Sequence, residues 1–517
     1  MLLANALIAM ASLTNPLIVP TADGAVRGIW ADEARGVRSF RGLPYAAPPT
    51  GERRFAPPAP ASAWEGTRDA TEFGAACPQP PAPDAFVWSR GPFEQNEDCL
   101  YLNVWAPTAP SAAPRAVMVW FHGGSHTTSY AHSAVFDGTE LAAKGVVLVT
   151  VNYRLGALGF LAHDTLVQDG GSGNWGLMDK VAALQWVQRN IAQFGGDPDK
   201  VTIFGQSAGS QSVCALMAAS GVPDNLFHRA IGQSAACVLP ESAHDADGRL
   251  RGHQLAVEAL GQVPVSAQAL RALPVDALVS AQVSSGWEAQ SRITVDGRLL
   301  SEHPSQTYRE GRQKALPLLA GSLADEGVEL LPLKSDLSEA GLRKRVDRLV
   351  GDRSEALIRL YSSSGSPGLI WRDILTDRFF ALAMRTWAAY QHRVGAPSYL
   401  YFMSHVPPAF RIYHPEQPDL ELAGGPRSVG AYHSGDLAYV FGTTRRVGAH
   451  WRDEDHRLSE RMMTLWTNFA KTGDPNGDGL LEWPRYDPDS HATMELAEPP
   501  RVLPGARPER LELLSER

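Results

Sequence analysis

Between Ala116 and Phe121 the chain runs AVMVWF, and between Val146 and Val151 it runs VVLVTV. Short, unbroken apolar runs rich in β-branched residues predict strands buried on both faces of a sheet. From Trp175 to Ile191 the period changes. Leu177, Val181, Leu184 and Val187 recur at three-to-four spacing, which predicts a helix. Val201 to Phe204 (VTIF) predicts a short strand, and Ser210 to Ser220 a helix directly after it. This alternation predicts an α/β fold with a mostly parallel central sheet and helices on both faces. Upstream, the proline-rich FRGLPYAAPPTGERRF (Phe40 to Phe55) is incompatible with regular helix. Downstream, residues 335–395 read as helical. There Asp336 with Glu339 predicts an N-terminal cap, and Leu342, Val346, Leu349 and Val350 form an apolar stripe. The basic run Arg343 to Arg345 reads as the solvated face of that helix. The region is expected to be an insertion over the functional edge of the sheet.

Composition narrows the class. The 517 residues would suggest about three or four domains by length alone. No repeat, linker or charge block divides them, so a single elaborated α/β domain over 15–517 is the better expectation. Apolar residues make up 44% and charged residues 20%, as in an ordinary globular protein. A net charge of −9 argues against a nucleic-acid or anionic-membrane surface. No apolar run approaches the ~18 residues of a membrane span. Four cysteines are too few for a disulfide scaffold. Residues 1–14 read as a signal remnant or a frayed start. Leu2 to Ala11 is mostly apolar and ends in a small-x-small triplet, but it lacks a basic leader.

The strongest chemical signal is Gly205 to Gly209 (GQSAG), a G-x-S-x-G lying between the VTIF strand and the next helix. A Ser in such a sharp turn is forced into strained backbone angles, so its neighbours must be small. The turn lifts the Ser207 hydroxyl above the sheet. It also sets the Ala208 N–H at a helix N-terminus, where developing negative charge is stabilised.

With this motif the chain resembles the type-B carboxylesterases, bacterial-type esterases and cholinesterases among them, of the α/β-hydrolase fold. The resemblance is carried by FRGLPYAAPPTGERRF, EDCLYLNVWAP (Glu97 to Pro107), NYRLGALGFL (Asn152 to Leu161), GNWGLMDKVAALQWV (Gly173 to Val187), FGGDPDKVTIFGQSAG (Phe194 to Gly209) and WTNFAKTGDPN (Trp466 to Asn476), in that order. It implies a serine hydrolase that cleaves carboxylic esters through an acyl-enzyme. Amide, lactone or polyester hydrolysis by the same machinery, and a non-catalytic binding or adhesion role on the same fold, stay open at this point.

The resemblance also implies roles for residues. GSLADEG (Gly321 to Gly327) matches the family's acid loop and points to Glu326, with Asp325 as its neighbour and competitor. GAYHSGDLAYVFG (Gly430 to Gly442) matches the histidine loop and points to His433. Gly124, Ser125 and Ala208 are implied as oxyanion donors, Ser125 departing from the usual Gly. Gln206 stands where many relatives carry Glu, which removes a negative charge from the site. Ser234 matches a serine that supports the histidine in relatives. Cys77 and Cys99 are implied as a disulfide, and with it an extracytoplasmic rather than cytoplasmic location. Cys214 and Cys237 read as buried free thiols. Trp88 reads as an aromatic wall of the site. Asp474 to Gly479 starts like a calcium loop but has Arg485 where a bidentate Glu is required, so it reads as a turn. No metal or organic cofactor is expected, and the expected partner is a small-molecule ester.

Overall fold

The computed structural model describes residues 15–81, 86–91, 93–168, 173–239, 243–244, 246–261, 263–287, 293–414 and 419–515. The expectation for residues 1–14 lies outside them. Eleven strands build the main sheet: β1 (Ile29–Asp32), β2 (Val37–Pro44), β3 (Tyr101–Pro107), β4 (Arg115–Phe121), β5 (Val147–Val151), β6 (Gly196–Gln206), β7 (Arg229–Gln233), β8 (Leu318–Leu323), β9 (Ser398–Met403), β10 (Ala492–Leu496) and β11 (Arg501–Pro504). Their spatial order is β11-β10-β9-β8-β7-β6-β4-β5-β3-β2-β1. From β5 to β10 every neighbouring pair is parallel, and antiparallel pairs occur only at the two flanks. The α/β-hydrolase architecture expected from the sequence is therefore the one observed.

The period-two geometry of a strand explains how AVMVWF is buried on both sides. Val117, Val119 and Phe121 pack into one apolar cluster, whereas Ala116, Met118 and Trp120 pack into another. Trp120 sits among Phe136, Phe204 and Phe441, with ring centroids 4.8–5.2 Å away. Helix α1 (Trp175–Asn190) buries all four residues of its predicted stripe. Strand β6 is longer than VTIF suggested, because GDPDK extends it at the polar end.

The region after residue 335 is helical, and Arg343 to Arg345 are exposed as expected. Its first helix, α3 (Glu339–Val350), is capped differently from the sequence reading. The Ser338 hydroxyl, not Asp336, accepts the Gly341 N–H at 3.1 Å. Leu342, Val346 and Val350 join Ile374 and Leu382 in a third apolar cluster, which Leu511 and Leu514 close from the chain's end.

Both cysteine pairs form disulfides. Cys77–Cys99 is as expected. Cys214 and Cys237 correct the sequence reading: they are bonded, not free, with Cα atoms 5.6 Å apart. Cys214 lies on helix α2 (Ala208–Ala218), which packs on β7, and Cys237 follows the end of β7, so the fold brings them together. The bridges span separations of 22 and 23 residues. In the chain-entropy picture a loop of that size contributes about 3 kcal/mol. A Cys→Ser double variant of either pair is expected to lower the urea unfolding midpoint accordingly, and adding reductant to that variant should then cost only the remaining bridge's share. Among the described residues, no helix is long and apolar enough to cross a membrane.

Candidate active site

Strands β4, β6, β7 and β8 run in register, with Phe121 beside Gly205, Gln206 beside Gln233, and Gln233 beside Gly321. Their carboxyl ends thus open on one edge, the usual place for a site in a parallel sheet. Ser207 emerges there at φ 56°, ψ −126° between β6 and α2, the strained turn that G-x-S-x-G predicts. The motif's glycines are sterically obligatory. A Cβ on Gly209 would fall 1.9 Å from the Phe121 carbonyl oxygen, and one on Gly205 would fall 2.5 Å from Gly209.

From β8 the acid loop brings Glu326 back under the site. Its carboxylate is fully buried. Oε1 accepts the Leu323 N–H at 2.8 Å, and Oε2 lies 2.6 Å from His433 Nδ1. The carboxylate fixes the proton on Nδ1, leaving Nε2 as the basic nitrogen. Asp325, the competitor, serves the loop instead. Its Oδ2 accepts the Ala431 N–H at 2.8 Å and its own N–H donates to the Ala431 carbonyl, tethering the histidine loop. The His433 ring is 3% exposed, enclosed by Trp88 and Phe380 at centroid distances of 6.1 and 5.4 Å. Trp88 also donates from Nε1 to the Ser434 hydroxyl at 3.2 Å.

His433 Nε2 accepts a hydrogen bond from Gln206 Nε2 at 3.1 Å. The Gln206 amide therefore satisfies the lone pair of that nitrogen. The Ser207 hydroxyl makes no hydrogen bond among the described residues and faces the cavity.

After β4 the loop that holds the expected oxyanion donors turns with positive φ at Gly124 (97°), Ser125 (55°) and His126 (60°). The Gly124 carbonyl accepts the Thr127 and Thr128 N–H groups, which holds the loop open. A Cβ on Gly124 would meet the Thr128 oxygen at 2.3 Å. The Gly124 and Ala208 N–H groups have no internal acceptor among the described residues, and both residues, like Ser125, line the cavities at Ser207. His122 braces the loop from below. It stacks on Tyr153 at 4.4 Å, and burial lowers its pKa to about 3, so it is neutral.

Ser234 makes no hydrogen bond to His433 among the described residues. Its hydroxyl is buried without a partner among the described residues, and its backbone, at φ 60°, is held by an N–H bond to Gly321. The residue lines the cavity beside Ser207 instead.

Sequence reasoning missed several neighbours. Leu330 and Phe380 line the site from segments with no motif; Phe380 belongs to a π-helical turn, Asp377–Leu382. Asp436, three residues after His433, is a buried carboxyl beneath the site. Its Oδ2 accepts from Gln233 Nε2 (2.7 Å) and the Tyr401 hydroxyl (3.3 Å), and its Oδ1 has no partner among the described residues. Burial, with the nearby Glu326 charge adding, raises its pKa from 3.8 to about 6 against the opposing Gln233 bond.

The raised value has a definite sign for stability. Between about pH 4 and about pH 6 the folded state holds this proton and the unfolded state does not, so this group makes stability fall as pH rises across that window. Asp436→Asn is expected to remove that decrement, about 2–3 kcal/mol by linkage. Urea unfolding of wild type and variant on both sides of the window checks it: the difference between them should change by that amount in the variant's favour as pH rises.

A carboxylesterase family model matches residues 15–513. The chain is 35% identical over 490 residues to the para-nitrobenzyl esterase of Bacillus subtilis, covering 93% of this chain and 94% of that one. A solved PNB esterase superposes with a TM-score of 0.82 at 32% identity, covering 97% of this chain and 100% of the other. A solved carboxylesterase of Geobacillus stearothermophilus gives 0.80 at 33%, with the same coverage.

Proposed function

The chain belongs to the carboxylesterase family and hydrolyses carboxylic esters, and from that premise we propose that Ser207, His433 and Glu326 carry the reaction through an acyl-enzyme. In this reading Gln206 yields His433 Nε2 to the Ser207 hydroxyl as substrate enters. Ser207 Oγ attacks the ester carbonyl while Nε2 takes its proton. Glu326 holds the imidazole and stabilises the imidazolium. The N–H groups of Gly124, Ser125 and Ala208 receive the oxyanion, each donor being worth about 3 kcal/mol of barrier. His433 then protonates the departing alkoxide. Water, activated by the same nitrogen, releases the acid and restores Ser207.

The observation that carries the proposal is the 2.6 Å contact between Glu326 and His433 in the wall of the cavity that Ser207 enters. The two disulfides support an oxidising, extracytoplasmic location for the enzyme, and we read residues 15–517 as one catalytic unit. An organophosphate labels a serine only when its base is in place. Stoichiometric phosphorylation mapped to Ser207, with parallel loss of nitrophenyl-ester hydrolysis, is expected. Labelling elsewhere, or none while esters are still hydrolysed, would overturn the assignment.

A further inference from the structure

Asp455 is the third residue of helix α4 (Asp453–Thr472), and its side chain is fully buried. It closes the start of that helix, where the Arg452 N–H donates to Oδ2 at 2.7 Å. Such a cap uses one of the roughly four lone-pair sites of a carboxylate. The other donors come from outside the helix. The Tyr439 hydroxyl donates to Oδ1 at 2.6 Å, and His405 Nε2 lies 2.7 Å from the same oxygen. Arg427 engages both oxygens, Nη2 donating to Oδ2 and Nη1 to Oδ1, the latter at 3.3 Å. Burial by itself would raise the pKa of this carboxyl. The bonds from His405, Arg427, Tyr439 and Arg452 outweigh it and hold the group well below the usual carboxylate range, so it carries its charge.

Arg427 precedes His433 by six residues and Tyr439 follows it by six, so the loop that carries the base is closed at both ends on one carboxylate. His405, just beyond β9, ties that closure to the sheet, its backbone N–H donating to the Leu496 carbonyl of β10 at 3.3 Å. Arg427 donates as well to the Val406 carbonyl and, at 3.3 Å, to the His450 carbonyl. Ser459, one turn along α4, donates to the Tyr439 carbonyl at 3.0 Å. Neither the backbone N–H nor the carbonyl of His433 is hydrogen-bonded among the described residues, so the flanks of the loop set its place. We propose that Asp455 is a positioning residue for the His433 base, one carboxylate drawing both ends of the loop together so that Nε2 meets the Ser207 hydroxyl. Asp455 acts through the loop, since the imidazole's own bonds go to Glu326 and Gln206. The inference rests on the reading of His433 as the base.

The test combines steady-state kinetics with titration of active sites by an organophosphate, which separates slower molecules from fewer working ones. Asp455→Asn keeps the shape but puts an amide donor where Arg427 or Tyr439 donates. It is expected to lower kcat per titrated site on p-nitrophenyl acetate about tenfold, with KM within about twofold. Phosphorylation of Ser207 should slow by a similar factor, because that step uses the same base. Tyr439→Phe removes one hydroxyl and keeps the packing, so it tests the clamp even where Asp455→Asn fails to fold; a loss of about threefold to fivefold in kcat per site is expected. Arg427→Lys, which keeps the charge, should retain more of the rate than Arg427→Gln. In the Asp455→Asn background, Arg427→Gln and Tyr439→Phe should add little, since each acts through that carboxylate. A kcat per site within about twofold of wild type in either folded variant, Asp455→Asn or Tyr439→Phe, would overturn the proposal. So would losses that multiply in the combined variants, or activity lost only as titratable sites. A wild type that hydrolyses esters without labelling at Ser207 would instead count against the reading of the triad itself.

Discussion

Ser207→Ala is expected to lower kcat on a nitrophenyl ester by roughly 10⁴–10⁶-fold, leaving only what the oxyanion donors and binding supply. The fold should be indifferent to the change. The hydroxyl makes no hydrogen bond among the described residues, and the positive-φ turn is held by the Ser207 N–H to Gln233 carbonyl bond, 2.8 Å, and the Gln211 N–H to Ser207 carbonyl bond, 2.9 Å, which Ala retains. The check is kcat beside a thermal melt: a collapsed rate with an unchanged melting temperature. A rate within a few-fold of wild type would remove Ser207 from the chemistry.

Glu326→Gln is expected to cost about 10⁴-fold in kcat. The cause is the tautomer. A Gln carboxamide can keep the Leu323 N–H on its oxygen, but its Nε2 then faces His433 Nδ1 and must donate to it. The imidazole proton moves to Nε2, where it faces Ser207 and blocks proton acceptance. Asp325→Asn separates the two adjacent acids. Asp325 grips Ala431 and does not touch the imidazole, so its loss loosens the histidine loop and costs about tenfold or less, in line with a displaced but intact base. Equal losses in the two variants would mean that the assignment between the neighbours is wrong.

Much of this was legible in the chain because local chemistry left few alternatives. AVMVWF and VVLVTV have no polar face, so a doubly covered parallel sheet was the natural outcome. GQSAG between strand and helix marks a strained turn, since a side chain at Gly205 or Gly209 would collide with the backbone of Phe121. The acid and the base were another matter. They lie 119 and 107 residues apart along the chain in the order Ser207, Glu326, His433, and spacing alone says nothing about their meeting. Only the resemblance of GSLADEG and GAYHSGDLAYVFG to family loops selected Glu326 and His433.

Other features had no local signal. Cys214 reads as a small apolar residue on a helix, and Cys237 as one after a strand. Their pairing depends on how α2 lies against β7. The Ser234 hydroxyl matched a family pattern, but it is buried without a hydrogen-bond partner among the described residues. Gln206 shows the converse. Its amide character was plain, whereas its hold on His433 Nε2 follows from the histidine loop being clamped to Asp325, a contact that spans 106 residues. Phe380 enters from the helical insertion, which no active-site motif marks.

In the proposed mechanism an acyl group passes through Ser207. Acid quenching during turnover of p-nitrophenyl acetate, followed by peptide mass analysis, tests it most directly. One acetyl group is expected on the Ser207 peptide, formed in a burst with nitrophenol and absent in Ser207→Ala. Nitrophenol release at full rate with no adduct on that peptide, or an adduct on another residue that turns over competently, would contradict it.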